Sequence, residues 1–186
     1  MRTLKAVLGT AAVAVLCFGI LLVGFREFYK AAYPRRFQQD VEAFSVQNGL
    51  EPSLVYAVIR TESGFDQEAE SSVGARGLMQ LTPDTYYWVR YRLGEEGSAS
   101  SNQLFDPSEN IKYGTANLRL LLDRFGSQET ALAAYHAGWG NVSRWLEDQR
   151  YSQDGQSIHS IPFADTDCYV SKVIDTAELY RRLYEH

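Results

Sequence analysis

The sequence predicts an all-α chain. Apolar residues recur at helical spacing along most of its 186 residues. The periodic stretches are divided by caps and stops such as Gly49, Pro52, Thr82-Pro83, Asp106-Pro107 and Ser127. No alternating strand of useful length interrupts them, and no internal repeat is present.

The first element is an uncharged run of twenty residues, Ala6 to Phe25. As a helix it would span about 30 Å, the thickness of a bilayer core. Arg2 and Lys5 precede it and Arg26 follows. We read residues 1–25 as a single transmembrane helix, a membrane anchor or uncleaved signal, since no small-x-small cleavage site follows the run. Basic residues lie on both sides of it, so charge bias alone does not orient the chain. Residues 26–48 read as a basic-aromatic neck and a first helix. Pro34 restarts that helix, Phe37, Val41 and Phe44 share one side, and Gly49 stops it. Residues 49–186 read as one further domain. Within it, residues 52–62 form a helix opened by Pro52, with Leu54, Val55, Val58 and Ile59 as its apolar stripe. Residues 63–76 form a loop, and Gly77 to Leu81 a short apolar turn or helix. Thr82-Pro83-Asp84 opens a helix to Leu93. Residues 94–104 are a loop by composition. Asp106 caps a helix carrying Ile111, Leu118, Leu121, Leu122 and Phe125 at helical spacing, and Ser127 caps another to about His136. Residues 147–160 are a polar, mobile segment. Val170, Val173, Ile174, Ala177 and Leu183 mark a last helix over 166–184.

The 161 residues after Phe25 suit one domain with a real core. They hold all 23 Asp and Glu but only 16 of the 18 Lys and Arg, a formal charge of −7. That balance argues against nucleic acid as a partner. Cys17 lies in the apolar run and Cys168 near the far end, too far apart in sequence context to suggest a disulfide. His136, His159, His186 and the cysteines show no metal-ligand spacing, so neither a metal nor a cofactor is expected.

One residue carries chemistry. Glu62 continues the apolar stripe of its helix, four residues after Val58 and three after Ile59, and Ser63-Gly64 ends the helix there. Partial burial and the negative end of the helix dipole both disfavour its ionised form. A carboxyl so placed keeps its proton near neutral pH, which a general acid needs.

Three motifs surround it in order: Thr61-Glu62-Ser63-Gly64-Phe65, then Ser71 to Gln80 (Ser-Ser-Val-Gly-Ala-Arg-Gly-Leu-Met-Gln), then Ala134-Tyr135-His136-Ala137-Gly138. Gly138 to Trp145 and Ile161 to Val170 extend the pattern. Over roughly residues 50–180 the chain resembles the soluble-lytic-transglycosylase (SLT-like) family, relatives of goose-type lysozyme that cut the glycan strands of bacterial peptidoglycan. The resemblance implies a compact lysozyme-like helical domain. It implies Glu62 as the catalytic acid, with Ser71 contacting the substrate's N-acetyl group or the catalytic carboxyl, Gln80 binding the sugar and Tyr135 beside the acid. It adds His136, Asp165 and Tyr169 as substrate-binding positions. The chain departs from the family pattern at His136, where Asn is usual, and at Asp165 and Asp167, where Glu and Arg are usual. Tyr135 reads equally as a core aromatic, and Asp165 as a helix cap. Trp139 reads as a sugar platform or a core residue, Trp145 as core. Tyr86, Tyr87, Trp88 and Tyr91 read as core or rim.

The function implied is a peptidoglycan lytic transglycosylase held at the cell membrane, with its domain on the wall side. A hydrolytic muramidase of the same fold, or a non-catalytic wall-binding protein, are the other classes that the residues admit. Product mass separates the first two, because an anhydro product lacks one water.

Overall fold

The computed structural model describes the backbone of residues 2–184 and the side chains from residue 16 onward. Among the described residues eight α-helices follow one another: α1 Arg2–Ala32, α2 Gln38–Asn48, α3 Pro52–Glu62, α4 Pro83–Arg92, α5 Pro107–Phe125, α6 Gln128–Ala137, α7 Trp139–Leu146 and α8 Ala164–Tyr184. A 3-10 turn, Ser101–Phe105, precedes α5. Among the described residues the only extended pairings are isolated bridges joining Glu70 to Arg76 and Arg76 to Leu81.

α3 is the centre of the domain. Residues Ser53 to Ile59 are all buried, so its neighbours enclose more than the stripe the sequence marks. α8 packs along it, with the Tyr56 and Tyr180 rings stacked at 5.2 Å. α2 and α3 adjoin, and α5 lies against α2 and α6. A smaller core under α4 joins Leu81, Tyr86, Val89, Leu104, Tyr113 and Ala116. Tyr135 packs against both clusters.

The caps act as the sequence suggests. Thr82, Asp106 and Ser127 accept from the backbone N–H of Thr85, Glu109 and Thr130. Gly49 closes α2 in the left-handed region, φ 59°. Two elements differ from expectation. Pro34 does not restart a helix: α2 begins at Gln38, after Phe37 turns at φ 56°. The Pro34 carbonyl instead accepts from the Tyr180 hydroxyl at 3.1 Å. The sequence gives no sign of α7, which is only eight residues long, follows directly on Gly138 and contains Gly140. Its two buried side chains, Val142 and Trp145, fix it to the core.

α1 covers the expected membrane span as one continuous helix, but residues 6–15 of that span lie outside those whose side chains are described. Among the described residues no helix is long and apolar enough to cross a membrane. Leu16, Phe18, Ile20, Leu21, Leu22, Val23, Phe25 and Phe28 of α1 are all exposed. Its C-terminal end is held to α8, where the Tyr184 hydroxyl meets the carbonyls of Tyr33 (2.8 Å) and Lys30 (3.3 Å).

The loop between α3 and α4 is fastened by Asn110, which is wholly buried in α5. Its Oδ1 accepts from Met79 N–H at 2.7 Å, and its Nδ2 donates to the carbonyls of Leu104 (2.8 Å) and Arg76 (2.9 Å). Gly77 lets the loop come this close. At φ 70°, a Cβ there would stand 2.1 Å from the Leu104 carbonyl oxygen and 2.4 Å from Asn110 Nδ2. Gly77→Ala should therefore cost well over 2 kcal/mol, from clash added to backbone strain. Gly74→Ala, at φ 78° with open space around it, should cost only about 1–2 kcal/mol. Denaturant midpoints of the two variants check the contrast, and equal losses would show that Asn110 tolerates displacement.

Candidate active site

Glu62 is the last residue of α3. It opens on a cavity of about 270 Å³ whose lining includes Ser71, Gln80, Thr85, Asn117, Tyr135 and His136. The carboxyl is half-buried, with one side on this cavity. Burial is the main influence on it and pushes its pKa from 4.5 up to about 7; the nearby Tyr169 hydroxyl pulls more weakly in the other direction. That hydroxyl is itself buried without a hydrogen-bond partner. Burial and the Glu62 charge hold the Tyr169 and Tyr135 hydroxyls well above the usual phenol range, so both stay protonated.

Tyr135, near the end of α6, donates to the Met79 carbonyl at 2.7 Å and so ties α6 to the loop. His136 follows it at the helix end, exposed. Its Nδ1 lies 3.0 Å from the Thr166 hydroxyl, and its ring stacks on Tyr169 at 4.5 Å. His136 thus joins α6 to the first turn of α8. Ser71 opens a tight turn in which its hydroxyl accepts from Ala75 N–H. Gln80 sits at φ 46°, an uncommon backbone for a side-chain-bearing residue. Its Nε2 donates to the carbonyls of Ala69 (3.1 Å) and Gly77 (2.9 Å). Ser63, just after the acid, donates to the Leu78 carbonyl at 2.8 Å and accepts from Phe65 N–H.

The structure brings Glu62, Ser71, Gln80, Tyr135 and His136 to one cavity, with Tyr169 behind His136. Asp165 is not among the lining residues. It is exposed in the first turn of α8, where its carboxylate accepts from Thr166 N–H at 2.9 Å. Thr85, Asn117 and Tyr135 also line a second recess of about 260 Å³, which continues the groove between α4 and α7 past Trp88 and Trp139. Trp139 is half exposed on this groove, whereas Trp145 is buried edge-on against Phe163. Sequence reasoning gave Thr85 and Asn117 no place in the site, and Trp88, expected as core or rim, lines the groove. Asn117 is the one with a signal, a polar residue within the apolar face of α5. A separate recess lined by Tyr56, Tyr180 and Tyr184, with Arg35 and Glu42 across it, shares no residue with the Glu62 cavity.

One desolvated acid at the end of a buried helix, opening on a groove that runs across a helical domain, defines a lysozyme-like protein. More narrowly, the chain belongs to the transglycosylase SLT domain family, which matches residues 41–158. It is 32% identical over 151 residues to the soluble lytic murein transglycosylase of Escherichia coli K12, covering 80% of this chain and 23% of that protein. It is 33% identical over 173 residues to the membrane-bound lytic murein transglycosylase C of Edwardsiella ictaluri, covering 80% of this chain and 47% of that one. Among solved structures, the 70-kDa soluble lytic transglycosylase of Escherichia coli superimposes with a TM-score of 0.74 at 28% identity, covering 84% of this chain and 26% of that one. An inactive mutant of the lytic transglycosylase Slt of Pseudomonas aeruginosa gives 0.71 at 33%, covering 82% and 25%. The chain thus spans about a quarter to a half of the length of these relatives.

The raised pKa has a consequence for stability. As pH rises from about 4.5, the unfolded chain ionises Glu62 while the folded chain keeps its proton until about pH 7. The folded state holds more protons across that window, so this residue makes the protein progressively less stable up to pH 7 and by a constant amount above it. Glu62→Gln removes the effect. The variant should melt with the parent at pH 4 and be more stable by about 1–3 kcal/mol at pH 8. Melting curves at both pH values test this, and a difference independent of pH would mean that Glu62 is not desolvated.

Proposed function

We propose that this chain is a peptidoglycan lytic transglycosylase that cleaves the β-1,4 bond between N-acetylmuramic acid and N-acetylglucosamine. The observation that carries the reading is the acid inventory of the cavity: among the described residues Glu62 is the only carboxyl residue lining it, Asp84 lining only the adjoining recess. Hydrolysis through two carboxylates needs a second one to hold water or form a covalent intermediate. A single group suffices if the nucleophile belongs to the substrate. Glu62, protonated near neutral pH, gives its proton to the leaving oxygen. As carboxylate it then takes the proton of the C6 hydroxyl of the same muramic acid, which attacks the anomeric carbon and closes a 1,6-anhydro ring. The intramolecular nucleophile supplies the proximity that a bound water would otherwise need.

The remaining residues bind the glycan. Ser71 and Gln80 line the sugar site from the loop side. Tyr135, His136 and Tyr169 form the wall behind the acid. Asp165 reaches the strand from the start of α8. A matching activity is named for the relatives above. Purified sacculi should yield fragments one water lighter than hydrolysis products, detected by mass spectrometry. Glu62→Gln should lower turnover about 100- to 10,000-fold while the fold is kept. Hydrated reducing ends instead of anhydro ends would make the enzyme a muramidase.

We also infer that α1 anchors the protein in the membrane with the domain on the wall side. The uncharged run from Ala6 to Phe25, the exposed apolar side chains of residues 16–28 and a length of 31 residues, about 46 Å, support this. Intact protein should sediment with membranes, and protease added to wall-stripped cells should remove the domain. Protection from that protease would place the domain on the other side.

A further inference from the structure

We propose that the far end of the groove, between Arg92 and Arg124, binds the carboxylates of the peptide stems that a peptidoglycan strand carries. The inference rests on the peptidoglycan reading above. A recess of about 400 Å³ lies there, and it shares Trp88, Leu121 and Trp139 with the segment next to the Glu62 cavity. A strand lying along the groove would pass from Glu62 over the two tryptophans to this recess.

Its charge sets it apart. Arg92 and Arg124 both line it, and neither is paired with a carboxylate among the described residues. Asp123, the acid in the same recess, is paired with Arg119 one turn back along α5. Among the described residues the one hydrogen bond of the Arg124 side chain goes to the Ser143 hydroxyl, at 3.5 Å, and its guanidinium also lies 5.5 Å from the Phe125 ring centre. Each guanidinium instead stands over a tryptophan: Arg92 Cζ is 5.6 Å from the Trp88 ring centre, and Arg124 Cζ is 4.9 Å from that of Trp139. Stacking leaves the N–H edge of a guanidinium free and limits the orientations it samples. Two such edges facing one recess present the geometry that carboxylates accept bidentately. While its stems are attached, the lactyl carboxyl of each muramic acid is tied up in an amide, so the glycan backbone itself carries no charge that would use them. The stem peptides do, and in a domain of formal charge −7 two unpaired cations at one end of the groove form a local attractive site.

The test is binding by the full chain carrying Glu62→Gln, so that turnover plays no part. The probes are glycan strands that keep their peptide stems and neutral β-1,4-linked N-acetylglucosamine strands, which have neither stems nor lactyl carboxylates. The parent should bind stem-bearing strands more tightly, by a margin that shrinks with added salt. Adding Arg92→Gln and Arg124→Gln should weaken binding of stem-bearing strands about three- to tenfold, with the loss confined to those strands. Arg92→Lys with Arg124→Lys should recover part of it. Melting temperatures of the variants must match the parent for the comparison to count, and single substitutions serve if the double variant melts early. An equal loss on both kinds of strand, or no loss on either, overturns the proposal. A parent that binds both equally overturns this proposal alone, whereas a parent that binds neither overturns the peptidoglycan reading as well.

Discussion

The site depends on one buried amide. Asn110 spends its oxygen and both amide hydrogens on backbone groups of the loop and of the turn before α5. Without it the Met79 N–H and the Leu104 carbonyl would be buried without a partner, at about 1–3 kcal/mol apiece, whereas the Arg76 carbonyl also accepts from Leu81 N–H at 3.1 Å. The loop has no regular structure of its own beyond two isolated bridges. Its shape is therefore imposed from α5. Because Met79 is bonded to Asn110 through its N–H and to Tyr135 through its carbonyl, the same residue fixes both the loop and the tyrosine beside the acid.

Glu62 occupies the opposite side of that arrangement. A carboxyl held near pH 7 is a cost to the folded state, and the neighbouring core offsets it. α3 is buried from Ser53 to Ile59, and α8 covers it along its length. The helix end cannot swing out to solvate its last side chain without giving up those contacts. His136 adds a clamp across the entrance, joining α6 to α8 through Thr166 and Tyr169. A histidine does here what a smaller amide would do only in part, since its ring both bonds and stacks.

Much of this was legible in the sequence, for physical reasons. The caps and the α3 stripe carry strong local signals, and Glu62 stood out because it continued an apolar face. α7 was missed because eight residues, with Gly140 among them, give too short a period to read. The start of α2 was misplaced because Pro34 suits a helix start and equally suits the turn it makes. Asn110 is a lone polar residue in a helix, with nothing local to show that its partners lie 31 and 34 residues away along the chain. Trp88 and Asn117 become groove residues only when α4 and α5 are placed side by side.

The tethers on Gln80 and Tyr135 also give the cleft a direction of hydrogen bonding. Gln80 uses its amide N–H groups on the carbonyls of Ala69 and Gly77, which leaves its oxygen as the free group. Tyr135 uses its only hydroxyl proton on Met79, which leaves lone pairs. Both residues therefore meet an incoming molecule as acceptors. The walls favour a ligand that offers O–H and N–H groups at these two points and penalise one that turns carbonyl oxygens toward them. The loop's own need for hydrogen bonds thus sets which face of a sugar can lie against the acid.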